Sequence, residues 1–467
     1  MKYRRLMIAA PKSGSGKTTI TCAVLQALTS QGCQIVSYKC GPDYIDPMFH
    51  EKVIGVPSRN LDTFFTGEEQ TRRLFLNSAP ADGIAVMEGV MGLYDGLGGI
   101  REEGSSYHLA KVTGTPIVLV VDAKGMGRSL IPLLAGFLAY DKEHLIKGVI
   151  LNRMSQGYYE VIKHLIEKEL RLPVLGFLPE KQELHMESRH LGLVKPDELN
   201  GIKEKLVTLA EEFVKTVSLE AVLSIAESAG NVGKSNICRG TLAGTWSAGR
   251  HADVDHPVIA VAKDEAFCFY YTDNLAMLEQ NGAKVRYFSP LYDAELPERC
   301  HALLFGGGYP ELYADRLSAN RTMRTAVSQA VDNGMPVVAE CGGFMYLHSV
   351  IIDREGVSHN MAGVVSGKCF DTGKSVRFGY IWMREKKSHF LPEGEIIKGH
   401  EFHYYDSTDN GGDVVAVKPV TGREYSCIME GENYWMGFPH LYYPSNPEFA
   451  KAFVKKAREY QRNISGR

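Results

Sequence analysis

The chain has 467 residues, 44% of them hydrophobic and 23% charged, which is enough for two or three domains with cores of their own. Its net charge of −3, with Lys and Arg spread rather than clustered, argues against nucleic-acid or membrane-surface binding. Nine scattered cysteines without a C-x-x-C pair argue against a disulfide framework or zinc ribbon and suit a reducing cytosol, so a cytoplasmic protein is expected.

The start "MKYRRLMIAAP" has a basic flank, but its apolar run is too short for a signal peptide and reads as a strand over 4–11. A helix over 17–32 follows, ended by Gly32. "CQIVSYKCG" (33–41), "GIAVMEGV" (83–90), "TPIVLVVDA" (115–123), "IKGVILNR" (146–153) and "LPVLGFLPE" (172–180) read as further strands. "YYEVIKHLIEKEL" (158–170) reads as a helix between two of them. The most apolar stretch, 115–140, is broken by Asp122, Lys124 and Arg128, so it is no membrane span. This alternation predicts an α/β domain over 1–225, a doubly wound parallel sheet covered on both faces. Residues 226–256, rich in Gly, Ser, Ala and Asn without an apolar period, read as a linker. Strands at 257–267, 283–290, 301–312 and 335–343, with a helix over 272–282, make 257–467 a second α/β domain.

In "PKSGSGKTT" the chain leaves a strand, turns through Gly14 and Gly16, and enters a helix at Lys17, Thr18 and Thr19. That order aims backbone N–H groups into an anion site, with Lys17 reaching the β/γ-phosphates and the Thr18 hydroxyl on Mg²⁺. Pro11 stands where the common motif has its first glycine, and Lys12 where a subset of such ATPases carries a second lysine. "YKCGPDYIDP" puts Asp43 and Asp46 at a strand end, where parallel sheets bind ligands, and "MEGVMGLYDG" adds Glu88 and Asp95. Mg²⁺ favours one or two carboxylates plus phosphate oxygens, which Asp46 and Glu88 can supply. Asn152, ending another strand, is placed to read the adenine edge; these acids and this Asn are otherwise turn and cap residues.

In the second domain, "VVAECGGFMYL" has the form of a nucleophile elbow, with Ala339 for its first glycine and Gly343 as its second. A helix starting after Cys341 is expected to lower the thiol pKa. Gly306, Gly307 and Gly308 follow an upstream strand, and their N–H groups are candidates for an oxyanion hole. His440 in "WMGFPHLYYPSNP" is the candidate base, with His400 and His403 of "GHEFHYYD" as competitors. H-E-F-H is one residue short of a zincin motif, and its aromatic flanks suggest a strand.

Together these segments, with "VIAVAKDEAFCFYY" and the terminal "PHLYYPSNP", resemble the cobyrinate a,c-diamide synthases, glutamine-dependent amidotransferases of corrin biosynthesis, over nearly the whole chain. The resemblance implies an ATP-binding synthetase domain like that of dethiobiotin synthetase, followed by a class I glutamine amidotransferase-like domain. It makes Cys341 the nucleophile and His440 the residue that raises its reactivity. The acids Asp43, Asp46, Glu88 and Asp95 would serve Mg·ATP or a phosphorylated intermediate. The wider glutaminase class has an acid two residues after the histidine; Tyr442 stands there, so a Cys–His dyad oriented by some other group is expected, as in this family. The implied substrates are cobyrinic acid, L-glutamine and ATP, and a homodimer is consistent with the family. Hydrogenobyrinate or nickel sirohydrochlorin would satisfy the same motifs. A P-loop switch ATPase carrying an inactive glutaminase domain is the rival from another class.

Overall fold

The computed structural model describes residues 3–181, 199–232 and 256–465. The chain divides into two compact units, Met1–Ala243 and Gly244–Arg467. Most of the stretch read as a linker lies outside the described residues; its first residues, 226–228, are still helical.

The first unit runs β1 (Arg4–Ala9), α1 (Lys17–Ser30), β2 (Ile35–Cys40), α2 (Ile45–Phe49), β3 (Ser58–Leu61), α3 (Thr63–Ser78) and β4 (Ile84–Glu88). It continues through α4 (Ser106–Thr113), β5 (Ile117–Asp122), α5 (Leu130–Tyr140), β6 (Ile146–Asn152), α6 (Gln156–Leu170), β7 (Val174–Leu178), α7 (Leu199–Thr216) and α8 (Leu219–Ser228). The strands form one parallel sheet in the order β3-β2-β4-β1-β5-β6-β7. Period-two alternation explains why "LMIA" is apolar at every position: Leu6 and Ile8 enter the core under α1 and α7, while Met7 and Ala9 enter the core on the opposite face. Arg5, fully buried, donates to the carbonyls of Tyr3, Thr113, Gly114 and Gly230, so it ties β1 to the ends of α4 and α8. Each expected strand of this half is present, shorter by at most two residues at either end. The polar strand "SRNL" of β3 is an addition that no apolar alternation announced.

The second unit opens with β8 (Val258–Ala262), β9 (Phe267–Phe269), α9 (Thr272–Gln280), β10 (Lys284–Phe288), β11 (Ala302–Phe305) and β12 (Gly307–Gly308). Then come α10 (Ala314–Ala319), α11 (Arg321–Asp332), β13 (Val337–Glu340) and α12 (Gly342–Leu347). β10, β8, β11, β13 and the strand Tyr434–Gly437 lie parallel in that order, with Met429–Gly431 antiparallel at the edge. Beyond α12 the chain adds a four-stranded mixed sheet and a five-stranded antiparallel sheet. One of them pairs Arg377–Glu385 with Ile396–His403, and the latter with His440–Leu441. "GHEFHYYD" is thus strand rather than helix, as its aromatic flanks suggested.

Among the described residues, no helix is long and apolar enough to cross a membrane.

Candidate functional sites

In the first unit the phosphate loop leaves the central strand β1 at its carboxyl end, between β4 and β5. Gly14 and Gly16 take left-handed φ of 77° and 96°, which a side chain would resist, and Gly16 caps α1. A Cβ on Gly16 would come within 2.1 Å of Asn152 Nδ2. Asn152, expected at an adenine edge, braces the loop by donating from Nδ2 to the Ser15 carbonyl at 2.9 Å. Lys17 Nζ donates to the Met91 carbonyl at 2.5 Å, and the exposed Lys12 offers its own carbonyl to Ser15 Oγ at 3.0 Å. Thr19 is half-buried in the first turn of α1. Asp95 folds its loop by accepting from Gly92 N at 2.9 Å, and Leu93 N donates to the Ala10 carbonyl, so "GVMGLYDG" lies over the phosphate loop.

Beside Thr18 the carboxyl ends of β2 and β4 bring their charges together, because Lys39 and Glu88 are register partners. Thr18 Oγ1 donates to Glu88 Oε1 at 2.6 Å. Lys39 Nζ lies 2.9 Å from the same oxygen, 2.5 Å from Asp46 Oδ2 and 3.8 Å from Asp43 Oδ2. His50 Nε2 stands 3.5 Å from Glu88 Oε2, and its Nδ1 meets Ser37 Oγ at 2.8 Å. One cation therefore serves three carboxylates. Burial pushes Glu88 up, and Asp46 adds to the rise. Burial also pushes Asp46 up, but the Lys39 ammonium and its hydrogen bond outweigh that and hold Asp46 below the carboxylate range. Burial, then Lys39, lowers Lys17 to about 8. Sequence reasoning singled out neither Lys39 nor His50. The signal was a lysine inside the otherwise buried strand "IVSYKC", where a charge survives only if paired.

In the second unit Cys341 sits on the turn between β13 and α12 with φ 47° and ψ −105°, the strained backbone that an elbow requires. Gly343 is obligatory, since a Cβ there would meet Phe305 Cβ at 2.5 Å. The expected lowering of the thiol pKa does not appear. Burial, then Glu311, pushes Cys341 up, and the short α12 with the Gly342 N–H offsets only part of that. His440 packs its Cε1 edge on the second glycine of the GGG loop: a Cβ on Gly307 would lie 2.3 Å from it. His440 also stacks on His400 at a centroid distance of 4.9 Å and 15° between planes. Burial, then His400, lowers its pKa well below the histidine range. Gly306 N–H is engaged by the Tyr270 hydroxyl at 2.8 Å, whereas Gly308 N lies 3.1 Å from where a Gly342 Cβ would stand. With the Gly306 N–H engaged, Gly307 and Gly308 are the oxyanion candidates that remain. His403 stacks on Phe438 and bonds the Tyr405 carbonyl at 2.7 Å. Among the described residues no cluster of three or more His, Cys, Asp or Glu is arranged to hold a metal by itself.

Residues 6–194 match the CobQ/CobB/MinD/ParA nucleotide binding domain, and residues 258–444 match the CobB/CobQ-like glutamine amidotransferase domain. The chain is 37% identical over 98% of its length to a protein of Caldanaerobacter subterraneus named cobyrinate a,c-diamide synthase, 99% of which is covered. It is 36% identical to the proteins of that name from Clostridium tetani (97% of this chain, 100% of that one) and Thermoplasma volcanium (99% of each). Among solved structures, PurLQS from Thermotoga maritima is similar at 18% identity and a TM-score of 0.31, over 44% of this chain and 99% of that one.

Proposed function

The chain belongs to the cobyrinate a,c-diamide synthase family of glutamine-dependent amidating ligases, and from that premise we propose that it amidates the a- and c-acetate side chains of cobyrinic acid. The observation that carries this reading is the pairing, in one chain, of the phosphate loop and its Lys39–Asp46–Glu88 cluster with the Cys341 elbow and His440.

A carboxylate is a poor electrophile, so each acetate is first phosphorylated by ATP to an acyl phosphate. Lys17 and the loop N–H groups hold the β/γ-phosphates, which requires Lys17 to exchange the Met91 carbonyl for phosphate oxygen. Lys39, already poised among the acids, balances charge as the acyl phosphate forms next to Asp43 and Asp46. Mg²⁺ fits the site: Thr18 Oγ1 and the two oxygens of Glu88 are hard donors at the loop, Glu88 Oε2 is buried without a hydrogen bond, and Asp46 lies close by. When bound there it would neutralise phosphate charge. In the other unit His440 takes the Cys341 proton and the thiolate attacks the side-chain amide carbon of glutamine. The N–H groups of Gly307 and Gly308 stabilise the oxyanion, ammonia leaves carrying the His440 proton, and water hydrolyses the thioester to glutamate. Ammonia then displaces phosphate from the acyl phosphate. Each product molecule consumes two ATP and two glutamines.

The test is mass spectrometry of cobyrinic acid incubated with the protein, ATP, Mg²⁺ and glutamine. Two carboxyl-to-amide conversions are expected. Cys341→Ala should lose the reaction with glutamine and keep it with ammonia. A variant that still used glutamine at the wild-type rate would overturn the assignment. Hydrogenobyrinate and nickel sirohydrochlorin as parallel substrates fix the choice of macrocycle.

A further inference from the structure

Resting on that reading of Cys341 and His440, we infer that Glu340 is the positioning residue of the glutaminase site, the acid that orients the His440 ring and balances its charge. The place where the wider glutaminase class carries this acid is occupied by Tyr442, whose hydroxyl donates to Asp273 Oδ2 at 3.3 Å. Glu340 ends β13 immediately before the nucleophile, and its Oε2 lies 3.9 Å from His440 Nδ1. Both residues are buried, at 5% and 2% exposure. The separation is one short adjustment from a hydrogen bond, as is common where a site tightens around its substrate.

Other neighbours of His440 fix its plane, and His403 and Glu401 act on it electrostatically. Gly307 backs the Cε1 edge, His400 stacks on the face, and Phe269 stands at 6.4 Å. His400 is held neutral by burial, then by Lys418, and its Nδ1 meets the Tyr271 hydroxyl at 3.3 Å. Glu401, on the same strand as His400 and His403, is committed elsewhere: Arg377 and Lys418 lie at 3.4 and 3.6 Å, and Tyr425 donates to it. Around Glu340 itself stand Tyr270 and Tyr443, which are neutral, and the Leu441 backbone N–H. Burial raises Glu340 to about 8, so the working form is the one above that pH, in which its carboxylate faces His440.

The Cys341 S–H bond breaks and its proton goes to His440 Nε2, while Nδ1–H donates to the Glu340 carboxylate. The thiolate forms the C–S bond as the amide C–N bond breaks, and the Nε2 proton leaves with ammonia. In that ionised form Glu340 gains and loses no proton during the cycle.

The experiment compares wild type, Glu340→Gln and Glu340→Asp in glutamine hydrolysis between pH 6 and 9.5, with ammonia-dependent synthesis as the internal control. Glu340→Gln keeps the shape and an acceptor for Leu441 N–H. Its kcat is expected to fall by about 10²-fold or more with KM within about twofold. The acid limb of the wild-type kcat profile should flatten in this variant and persist in Glu340→Asp, with partial recovery of rate. A Glu340→Gln enzyme with wild-type kcat and pH profile would overturn the inference. So would equal losses of glutamine-dependent and ammonia-dependent synthesis, which would mark a purely structural role. Retention of glutamine use by Cys341→Ala would instead sink the underlying reading, so the two failures are distinguishable.

Discussion

Replacing Lys39 by Met tests the reading of the charge cluster directly. The change removes an ammonium 2.5 Å from Asp46 and 2.9 Å from Glu88 and leaves both buried carboxylates without it. At an effective dielectric of roughly 20 each contact is worth about 6 kcal/mol of Coulomb energy. The ammonium's own desolvation, several kcal/mol, offsets much of that sum. The expected net loss is about 3–5 kcal/mol, the range for breaking one side of a buried ion pair and a large share of a typical domain's stability. Urea unfolding at pH 7.5 and pH 5.5 measures it. Asp46 is depressed in the folded protein, so its stabilising charge is present above pH 4 and is lost only as pH falls through its lowered pKa. Without Lys39 the Asp46 pKa rises and that group can take up a proton by pH 5.5, where Glu88, already raised to about 7, is protonated in either protein. The deficit should therefore be smaller at pH 5.5 than at pH 7.5. A loss below about 1 kcal/mol, or one that does not change with pH, would refute the argument.

Lys17→Ala should abolish synthesis with glutamine and with ammonia alike while sparing glutamine hydrolysis, read by separate glutamate and macrocycle assays. Gly307→Ala places a methyl 2.3 Å from His440 Cε1 and should cut glutamine hydrolysis by about 10²-fold, with the ammonia-dependent rate unchanged. Arg5→Met leaves the carbonyls of Thr113, Gly114 and Gly230 without their donor and should cost about 2–4 kcal/mol in denaturant unfolding. Burial, then Glu385, raises Glu430 to about 9, so the folded protein holds a proton there that the unfolded chain releases near pH 4.5. Stability should fall as pH rises from about 5 to 9, and Glu430→Gln should flatten that slope in thermal melts.

Much of the first unit was legible because its strands are buried on both faces and read as unbroken apolar runs between helical periods. β3 escaped because "SRNL" is polar, and its Asn60 donates to the carbonyls of Gly41 and Asp43. The sheets after α12 escaped because a half-exposed strand such as "RFGYIWMRE" carries aromatics on its outer face and blurs the alternation. Motif spacing named Thr18, Glu88, Cys341 and His440, since loops after parallel strands place such residues in a fixed way. It was silent on Lys39 and His50, whose role depends on cross-strand register, and it misjudged Cys341 because burial, a property of the whole fold, outweighed the local helix.

A sulfhydryl kept protonated by its surroundings is a poor target for alkylating agents and peroxide. In the role proposed for Cys341, the resting protein carries its reactive sulfur disarmed, shielded from oxidative damage and from idle destruction of amide, until a bound amide gives the proton reason to leave.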